Sequence, residues 1–319
     1  MGEPTTLTPG ALIRDDGRSI AGFWAGRSVF RYIYRPDVPA SESPKPYFHP
    51  LCSLDGATLT DFQPDDHPWH HGLSMTLTLV DDHNFWGGPT YRREDGYRDR
   101  SNQGRQDHAG WVRQMHSRHF IALEQALDWR TAAGQGLLSE ARAMTFDFSD
   151  ADAGWYTLSF ASRLSNVSGR PLRLDTYASA SGLTGSPYTG LQFRGRRGFL
   201  DRQNGFTPRI FAGDQIRDEA EIHAQRWPWM AITGKLAQDP ESTLIFCDDP
   251  RNPRHPNVFF LRHDNAQVAF SFVGDRSVTL RAGEDLELRY RILIGSGAWT
   301  EREIVERANT QLKTSPSQR

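Results

Sequence analysis

The chain has 319 residues, of which 37% are hydrophobic and 11% aromatic, and its formal net charge is -2. The mean hydropathy is -0.61, and no run of about 18 apolar residues could cross a membrane as a helix. The near balance of charge gives no reason to expect nucleic acid or a membrane surface as a partner. We expect a small, uncharged molecule as the partner, and the composition leaves a homo-oligomer open.

The two cysteines and the N-terminus indicate the cellular compartment of the protein. Cys52 and Cys247 lie far apart, each in an apolar, strand-like stretch. Two such thiols cannot form a disulfide framework, so reduced, buried cysteines are expected. The first residues lack the basic start and apolar centre of a secretory signal. Together these features predict a cytoplasmic protein.

Alternating apolar and polar residues recur along the chain, the pattern of half-buried strands. Segments 278–280 and 286–294, joined by a turn, predict one hairpin, and segments 155–164 and 172–177 predict a second. Further strands are predicted at 29–34, 73–80, 120–129, 137–148, 230–232, 243–247, 258–262 and 268–273. A dozen strands without a linker predict an all-β fold of stacked antiparallel sheets, forming one sandwich domain over residues 1–313.

One segment near the end predicts a short helix. Thr300 and Glu303 have the spacing of a capping box. An apolar stripe follows over residues 304–312 and indicates that the helix packs on the outside of the sandwich. The polar tail at 314–319 is expected to be disordered.

Segment 64–72 concentrates polar chemistry in a loop bounded by proline and glycine. It contains His67, His70 and His71 together with Asp65 and Asp66. Histidines that lie close together near carboxylates can divide the roles of proton donor and acceptor. A structural role, in which the imidazoles only fasten the loop, is the alternative for each of them.

The same histidines allow a second chemistry. His67, His70 and His71 could coordinate a divalent metal, and Asp66, His49, His83 and His255 supply further donors of the type found at zinc and non-haem iron sites. Pro68 and Gly72 argue against the helix that would align the histidines as in a zinc protease. We therefore expect no cofactor, with a divalent metal as the alternative.

Two downstream groups could bind a ligand. Segment 188–198 places Arg194 at the end of a predicted strand, and segment 225–230 pairs an arginine with two tryptophans, including Trp229. Aromatic faces bind the apolar face of a sugar ring, and guanidinium groups hold its oxygens. Prolines keep segment 248–257 extended, which predicts that Asp248, Arg254 and His255 lie on a rigid turn.

Several motifs carry a family resemblance. They are Tyr47-x-His49-Pro50, Asp66-His67-Pro68-x-His70-His71-Gly72-Leu73, Asn84-Phe85-Trp86, Asn252-Pro253-Arg254-His255-Pro256 and Leu288-Arg289-Tyr290-Arg291. These motifs, spread from about residue 31 to residue 294, resemble the DUF6807 family, which is often labelled "methane oxygenase PmoA". That label does not fit a chain without a membrane-spanning segment. The family is similar to galactose mutarotase-like proteins, which implies a β-supersandwich with a carbohydrate site on one concave sheet.

The resemblance also implies roles for particular residues. Histidine acid and base catalysis is implied for His67, His70, His71 and His255, with Glu221 and Asp248 as candidates for a catalytic carboxylate. Contacts to the substrate are expected from His49, Asp66, Trp86, Arg194, Trp229, Asp248 and Arg254. The resulting hypothesis is a carbohydrate-active enzyme of epimerase, isomerase or lyase type that acts on a sugar or oxidised sugar. The alternatives are a sugar-binding protein that partners a sugar dehydrogenase, and a histidine-ligated metal-dependent oxygenase or hydrolase.

Overall fold

A computed structural model describes residues 10–203 and 205–313. Strands make up 49% of the structure and helices 9%, which confirms the predicted all-β fold with a short C-terminal helix. The predicted disordered tail at 314–319 lies outside the described residues.

The described part of the chain contains twenty-three strands, three α-helices and two short 3₁₀ helices. In chain order, the strands are β1 (Ala11–Asp15), β2 (Ser19–Trp24), β3 (Arg27–Ile33), β4 (Tyr47–Leu51), β5 (Leu73–Thr76), β6 (Leu79–Val80), β7 (Thr90–Arg92), β8 (Gly96–Arg98), β9 (Arg105–His116), β10 (Phe120–Arg130), β11 (Gly136–Asp147), β12 (Trp155–Asn166), β13 (Leu172–Asp175), β14 (Gly190–Arg194), β15 (Arg209–Ala212), β16 (Gln215–Ile216), β17 (Gln225–Arg226), β18 (Trp229–Gly234), β19 (Ser242–Asp248), β20 (Val258–Arg262), β21 (Gln267–Ser271), β22 (Val278–Leu280) and β23 (Asp285–Ser296). The α-helices are α1 (Tyr177–Ser181), α2 (Glu219–Ile222) and α3 (Glu301–Lys313), and the 3₁₀ helices span Ala40–Glu42 and Ala151–Ala153.

Two nine-stranded antiparallel sheets carry most of these strands. The first has the order β1-β2-β3-β4-β5-β14-β21-β20-β17, and the second has the order β16-β15-β18-β19-β23-β12-β11-β10-β9. A three-stranded sheet, β22-β13-β6, and the hairpin β7-β8 complete the fold. Fifteen of these 23 strands are therefore paired on both sides, and the other eight lie at sheet edges.

The hydrophobic core lies between the two large sheets and draws buried residues from both. On β14, Phe193 points into this core, where its ring centroid lies 5.3 Å from that of Phe246 on β19. Because side chains alternate along a strand, Gln192 and Arg194 face the opposite way. The outer face of the first sheet is therefore polar at its centre.

Both predicted hairpins are wrong in their pairing. β12 pairs with β11 and β23, whereas β13 pairs with β22 and β6. The chain crosses between sheets at both predicted turns. The two turns lie side by side, because the backbone N–H of Asn166 donates to the carbonyl of Glu284 and the Asn166 side chain donates to the carbonyl of Leu280. A turn signal locates a reversal, but the partner of a strand depends on contacts far along the chain.

Other boundaries differ from the prediction for local reasons. Segment 73–80 forms two strands, β5 and β6, that belong to different sheets. Strand β13 ends at Asp175 because Thr176 caps α1, its side chain accepting from the backbone N–H of Ser179. The long edge strand β9 and the N-terminal strands β1 and β2 were not predicted.

The C-terminal helix forms as its sequence indicates. The backbone N–H of Thr300 donates to the Glu303 carboxylate, and the Thr300 hydroxyl accepts from the backbone N–H of Glu303. Its buried side chains, Ile304 and Ala308, pack on the outer face of the second sheet. Cys52 and Cys247 are buried and free. None of the helices in the described part of the chain is long and apolar enough to span a membrane.

Candidate functional site

The histidine loop of residues 60–72 lies over the outer face of the first sheet. The backbone N–H of Arg194 donates to the carbonyl of Gly72, and that of Asp61 donates to the carbonyl of Arg194. Two successive turns, from Pro64 to His67 and from His67 to His70, shape the centre of the loop. These contacts place the histidines beside the end of β14.

Gly72 closes the loop at a position that has space only for glycine. Its φ is +44°, and a Cβ atom added there would lie 2.0 Å from the carbonyl oxygen of Phe48. The left-handed region is unfavourable for residues with a Cβ, and the close approach to β4 leaves no space for one. The glycine that bounds the motif therefore fixes how tightly the loop packs on the sheet.

A second loop, residues 84–89, carries Trp86 to the same place. The side-chain oxygen of Asn84 accepts from the backbone N–H groups of Trp86 and Gly87, each at 2.9 Å. The side chain of Trp69 lies against Gly87 and Gly88. A Cβ added at Gly87 would lie 2.7 Å from Cβ of Trp69, and one added at Gly88 would lie 2.4 Å from its indole. The two glycines therefore allow the histidine loop and the Trp86 loop to pack directly on each other.

Lys45 joins these two loops to the chain that precedes β4. It is fully buried, and its ammonium lies within hydrogen-bond distance of the carbonyls of Glu42, Ser43, Trp86 and Trp69 at 2.8 to 3.4 Å. Burial lowers the pKa of Lys45 to about 7, against the opposing effect of the Glu42 charge. Lys45 therefore has a structural role and holds the loops of the site together.

Between these loops and the sheet lies a pocket of about 440 Å³. It is rich in aromatic and hydrogen-bonding side chains. Its lining includes His67, Trp69, His70, Trp86, Tyr97, Tyr188, Phe260, Arg262, Asn265 and Gln267. The rings of His67 and His70 stack with centroids 4.8 Å apart, and Trp86 stands edge-on to His70 at 5.7 Å. This volume lies in the range of small-molecule sites.

His70 is held in one protonation state by its surroundings. Nη1 of Arg194 donates to Nδ1 of His70 at 3.1 Å, so the hydrogen of the neutral ring is on Nε2. Burial, together with the positive charge of Arg194, holds the pKa of His70 well below its usual value. His70 therefore offers a ligand a neutral N–H donor and is a poor base.

His67 has a different environment. Its Nδ1 lies 3.0 Å from Oδ2 of Asp66, and its side chain is 43% exposed. Burial acts to raise the pKa of Asp66. The contacts with His67 and Arg194 have the larger combined effect and hold the pKa of Asp66 below its usual value. A carboxylate beside Nδ1 favours the hydrogen on that nitrogen and leaves Nε2 as a proton acceptor.

His71 points away from the pocket. Its Nε2 lies 2.6 Å from a carboxylate oxygen of Glu42, which also accepts from the Gln63 side chain. Burial lowers the pKa of His71 to about 4, although Glu42 acts in the opposite direction. A neutral His71 that donates to an ionised Glu42 anchors the end of the loop.

These partners do not suit a metal held by His67, His70 and His71. Nδ1 of His70 faces the Arg194 cation, and Nε2 of His71 is engaged by Glu42. The described residues contain no group of three or more His, Cys, Asp or Glu side chains arranged to hold a metal ion. A metal site would require these hydrogen bonds to break.

The buried, neutral histidines predict loss of stability in acid. The pKa of His71 is about 4 in the folded chain and about 6.5 in the unfolded chain. The unfolded chain therefore binds more protons between these values, so the contribution of His71 is complete above pH 6.5 and decreases as the pH falls towards 4. We expect the free energy of unfolding, measured with urea, to fall by roughly 2 kcal/mol between pH 7 and pH 5 because of His71, and His70 acts in the same direction.

Two variants test the assignment of this effect. His71→Gln should reduce the difference between the two pH values, whereas His119→Gln, at an exposed position, should leave it unchanged. An equal pH dependence in the wild type and His71→Gln would contradict the assignment.

The structure does not bring all predicted site residues to the pocket. His49 lies on β4, where its Nδ1 is 3.1 Å from the Thr60 hydroxyl. Trp229 is buried in the cluster beneath α3. Its indole was expected to bind a sugar, but the helix covers that face of the second sheet.

Asp248, Arg254 and His255 form a separate cluster outside the pocket lining. Nδ1 of His255 donates to the buried Asp248 carboxylate at 2.7 Å, and the backbone N–H of Asn257 donates to the same oxygen. Arg254 donates to the carbonyls of Val273, Arg276 and Ser277. These contacts hold the proline-rich turn in place. Glu221, a candidate catalytic carboxylate, caps the short helix α2.

Several residues of the site were missed by sequence reasoning. Lys45 is one of only three lysines in the chain, and a single lysine between prolines has no distinguishing pattern. Phe260, Arg262 and Gln267 lie on β20 and β21, whose residues are buried with little interruption. Without alternation, the sequence does not reveal which side chains face the pocket.

The fold and the pocket define an antiparallel β-sandwich protein with a histidine-rich, aromatic cleft on one sheet. Residues 24–309 match the model of DUF6807, described as a family of unknown function. The chain belongs to this family, as the motifs indicated.

A comparison with curated proteins gave no match. Among solved structures, the chain is similar to the α-galactosidase from Lactobacillus brevis, with a TM-score of 0.39 and 10% identity over 90% of this chain and 40% of that chain. It is also similar to a polysaccharide lyase, with a TM-score of 0.34 and 10% identity over 88% of this chain and 34% of that chain. The chain thus spans less than half the length of either protein.

Proposed function

We propose that this protein is a carbohydrate-active enzyme that moves a proton on a sugar or oxidised sugar, as an epimerase, isomerase or lyase. The observation that carries the proposal is the pairing of two unlike histidines at one end of an aromatic pocket. Among the described residues, Nε2 of His67 has no hydrogen-bond partner, and Asp66 lies beside its other nitrogen. His70 presents a fixed, neutral N–H.

The two histidines suit the two halves of a proton-transfer step. Nε2 of His67 takes a proton from the substrate, and Asp66 stabilises the imidazolium that forms. The electron pair moves onto an adjacent oxygen of the substrate, where the N–H of His70 donates a hydrogen bond to the growing negative charge. In an epimerase or isomerase the electron pair then returns from that oxygen, and His67 gives the proton back to carbon on the other face or at the neighbouring position. In a lyase the electron pair instead expels the leaving oxygen, which takes the proton from His67. The side chains alone fill these roles, so the proposed reaction uses no cofactor.

Aromatic walls support a sugar as the substrate. The indole of Trp86 and the phenol of Tyr188 lie 4.6 Å apart, and Phe260 extends the same wall beyond Tyr188. Such surfaces cover the apolar C–H face of a sugar ring while polar groups at the edge bind its hydroxyls. The Arg194 cation is neutralised by Asp66, which fits an uncharged ligand.

A binding and isotope-exchange experiment tests the proposal. Tryptophan fluorescence, to which Trp69 and Trp86 contribute from the pocket wall, would be followed during titration with monosaccharides, their lactones and disaccharides. Each ligand that binds would then be incubated with the protein in D₂O and analysed by proton NMR. We expect loss of one carbon-bound proton signal or faster interconversion of anomers. Binding without either change would instead identify a sugar-binding protein, and binding of none of the sugars would contradict both functions.

A further inference from the structure

The pocket extends well beyond the two histidines. Arg194 on β14 pairs directly with Gln267 on β21, and Gln267 pairs with Arg262 on β20. Residues that pair directly across antiparallel strands share a face. Neighbouring strands lie about 4.8 Å apart, so this row spans roughly 10 Å. His70 contacts the Arg194 end, and Arg262 lines the far end.

The far end has an aromatic surface of its own. The rings of Tyr188 and Phe260 meet edge-on with centroids 5.2 Å apart, and the guanidinium of Arg262 lies 4.9 Å from the centre of the Phe260 ring. Nη1 of Arg262 also donates to Glu219, which offsets its charge. The surface is therefore suited to a neutral ring and does not depend on the histidine end.

Two buried polar atoms at the far end have no partner. Within the described part of the chain, neither Nε2 of Gln267 nor Oδ1 of Asn265 makes a hydrogen bond. Gln267 is only 3% exposed. Burying an amide without a partner is costly. One of these atoms donates and the other accepts, and a sugar hydroxyl does both.

We infer that the pocket contains two sugar subsites and that the substrate is a disaccharide or longer glycoside rather than a free monosaccharide. This inference rests on the proposed function. The reacting ring lies among His67, His70 and Trp86. A second, neutral ring lies against Phe260 and Tyr188 and places one hydroxyl between Asn265 and Gln267.

Affinities for matched sugars test the inference. Glucose would be compared with maltose and cellobiose, and galactose with lactose, by tryptophan fluorescence titration of the wild-type protein. At least one disaccharide should bind about tenfold more tightly than its monosaccharide. Asn265→Ala and Gln267→Leu should each weaken disaccharide binding by about tenfold and change monosaccharide binding little. Asp264→Ala, at a fully exposed neighbouring side chain, should bind both as the wild type does.

The outcomes separate this inference from the proposed function. Monosaccharides that bind as tightly as disaccharides, or variants that weaken both alike, would overturn the two-subsite inference and leave the proposed function standing. If no sugar of either size bound to the wild type, both would fail. The melting temperature of Gln267→Leu adds a check on folding: it should not fall, because the variant removes an unpartnered buried amide.

Discussion

Replacing His67 with glutamine is expected to lower kcat for the sugar substrate by roughly 10²-fold or more, the usual contribution of a general acid or base. Glutamine has a similar size but cannot accept a proton near neutral pH. Because the His67 side chain is 43% exposed, its replacement should leave the free energy of unfolding nearly unchanged. Steady-state kinetics on the sugar found by isotope exchange, with urea unfolding alongside, would measure both effects.

A matched control and a second histidine sharpen this prediction. The side chain of His263 is 39% exposed and does not line the pocket, so His263→Gln should retain wild-type kcat. His70→Gln keeps a neutral N–H donor and should retain more activity than His70→Leu. If His67→Gln kept kcat within fivefold of the wild type, or if both His70 variants behaved alike, the assigned roles would be wrong.

Replacing Lys45 with methionine is expected to lower the free energy of unfolding by roughly 3 to 5 kcal/mol. Methionine has a similar length but no donors, so the buried carbonyls of Glu42, Ser43 and Trp86 would lose their partner. The negative charge of Glu42 would also lose a nearby cation. Urea unfolding would measure the change, and tryptophan fluorescence of the native state would report displacement of Trp69 and Trp86.

Lys313 provides the control, because it lies exposed at the last residue of α3. Lys313→Met should change the free energy of unfolding by less than about 0.5 kcal/mol. Lys45→Gln retains two N–H donors and should fall between the wild type and Lys45→Met. A Lys45→Met protein as stable as the wild type would show that the four carbonyl contacts do not hold the loops together.

The two predictions address different parts of the same site. Lys45 holds together the loops that carry Trp69, His70 and Trp86, whereas His67 performs the proposed proton transfer. Replacing Lys45 should reduce stability and sugar binding together. Replacing His67 should reduce turnover alone. The comparison therefore distinguishes the framework of the pocket from its proposed chemistry.

The sequence by itself determined the features that depend on neighbouring residues. Alternation predicted most long strands of the two large sheets, and the Thr300–Glu303 spacing predicted the cap of α3, because side-chain direction and capping are local properties. The segment from Pro64 to Gly72 was predicted to be a polar loop, and Gly72 proved to be required by its φ and its contact with Phe48. The composition of the histidine motif also indicated a chemical site.

The tertiary structure alone decided which residues meet and in what protonation state. His70 and Arg194 are 124 residues apart in the sequence, and the second wall of the pocket comes from β20 and β21. Pairing between sheets placed Trp229 under α3 and His255 beside Asp248, away from the pocket. Burial and charged neighbours then made the three histidines of the loop unlike one another. His67 lines the pocket beside Asp66, His70 is held neutral by the Arg194 cation, and His71 is bound to the Glu42 carboxylate. These effects depend on distances through space, which the spacing of residues along the chain does not specify.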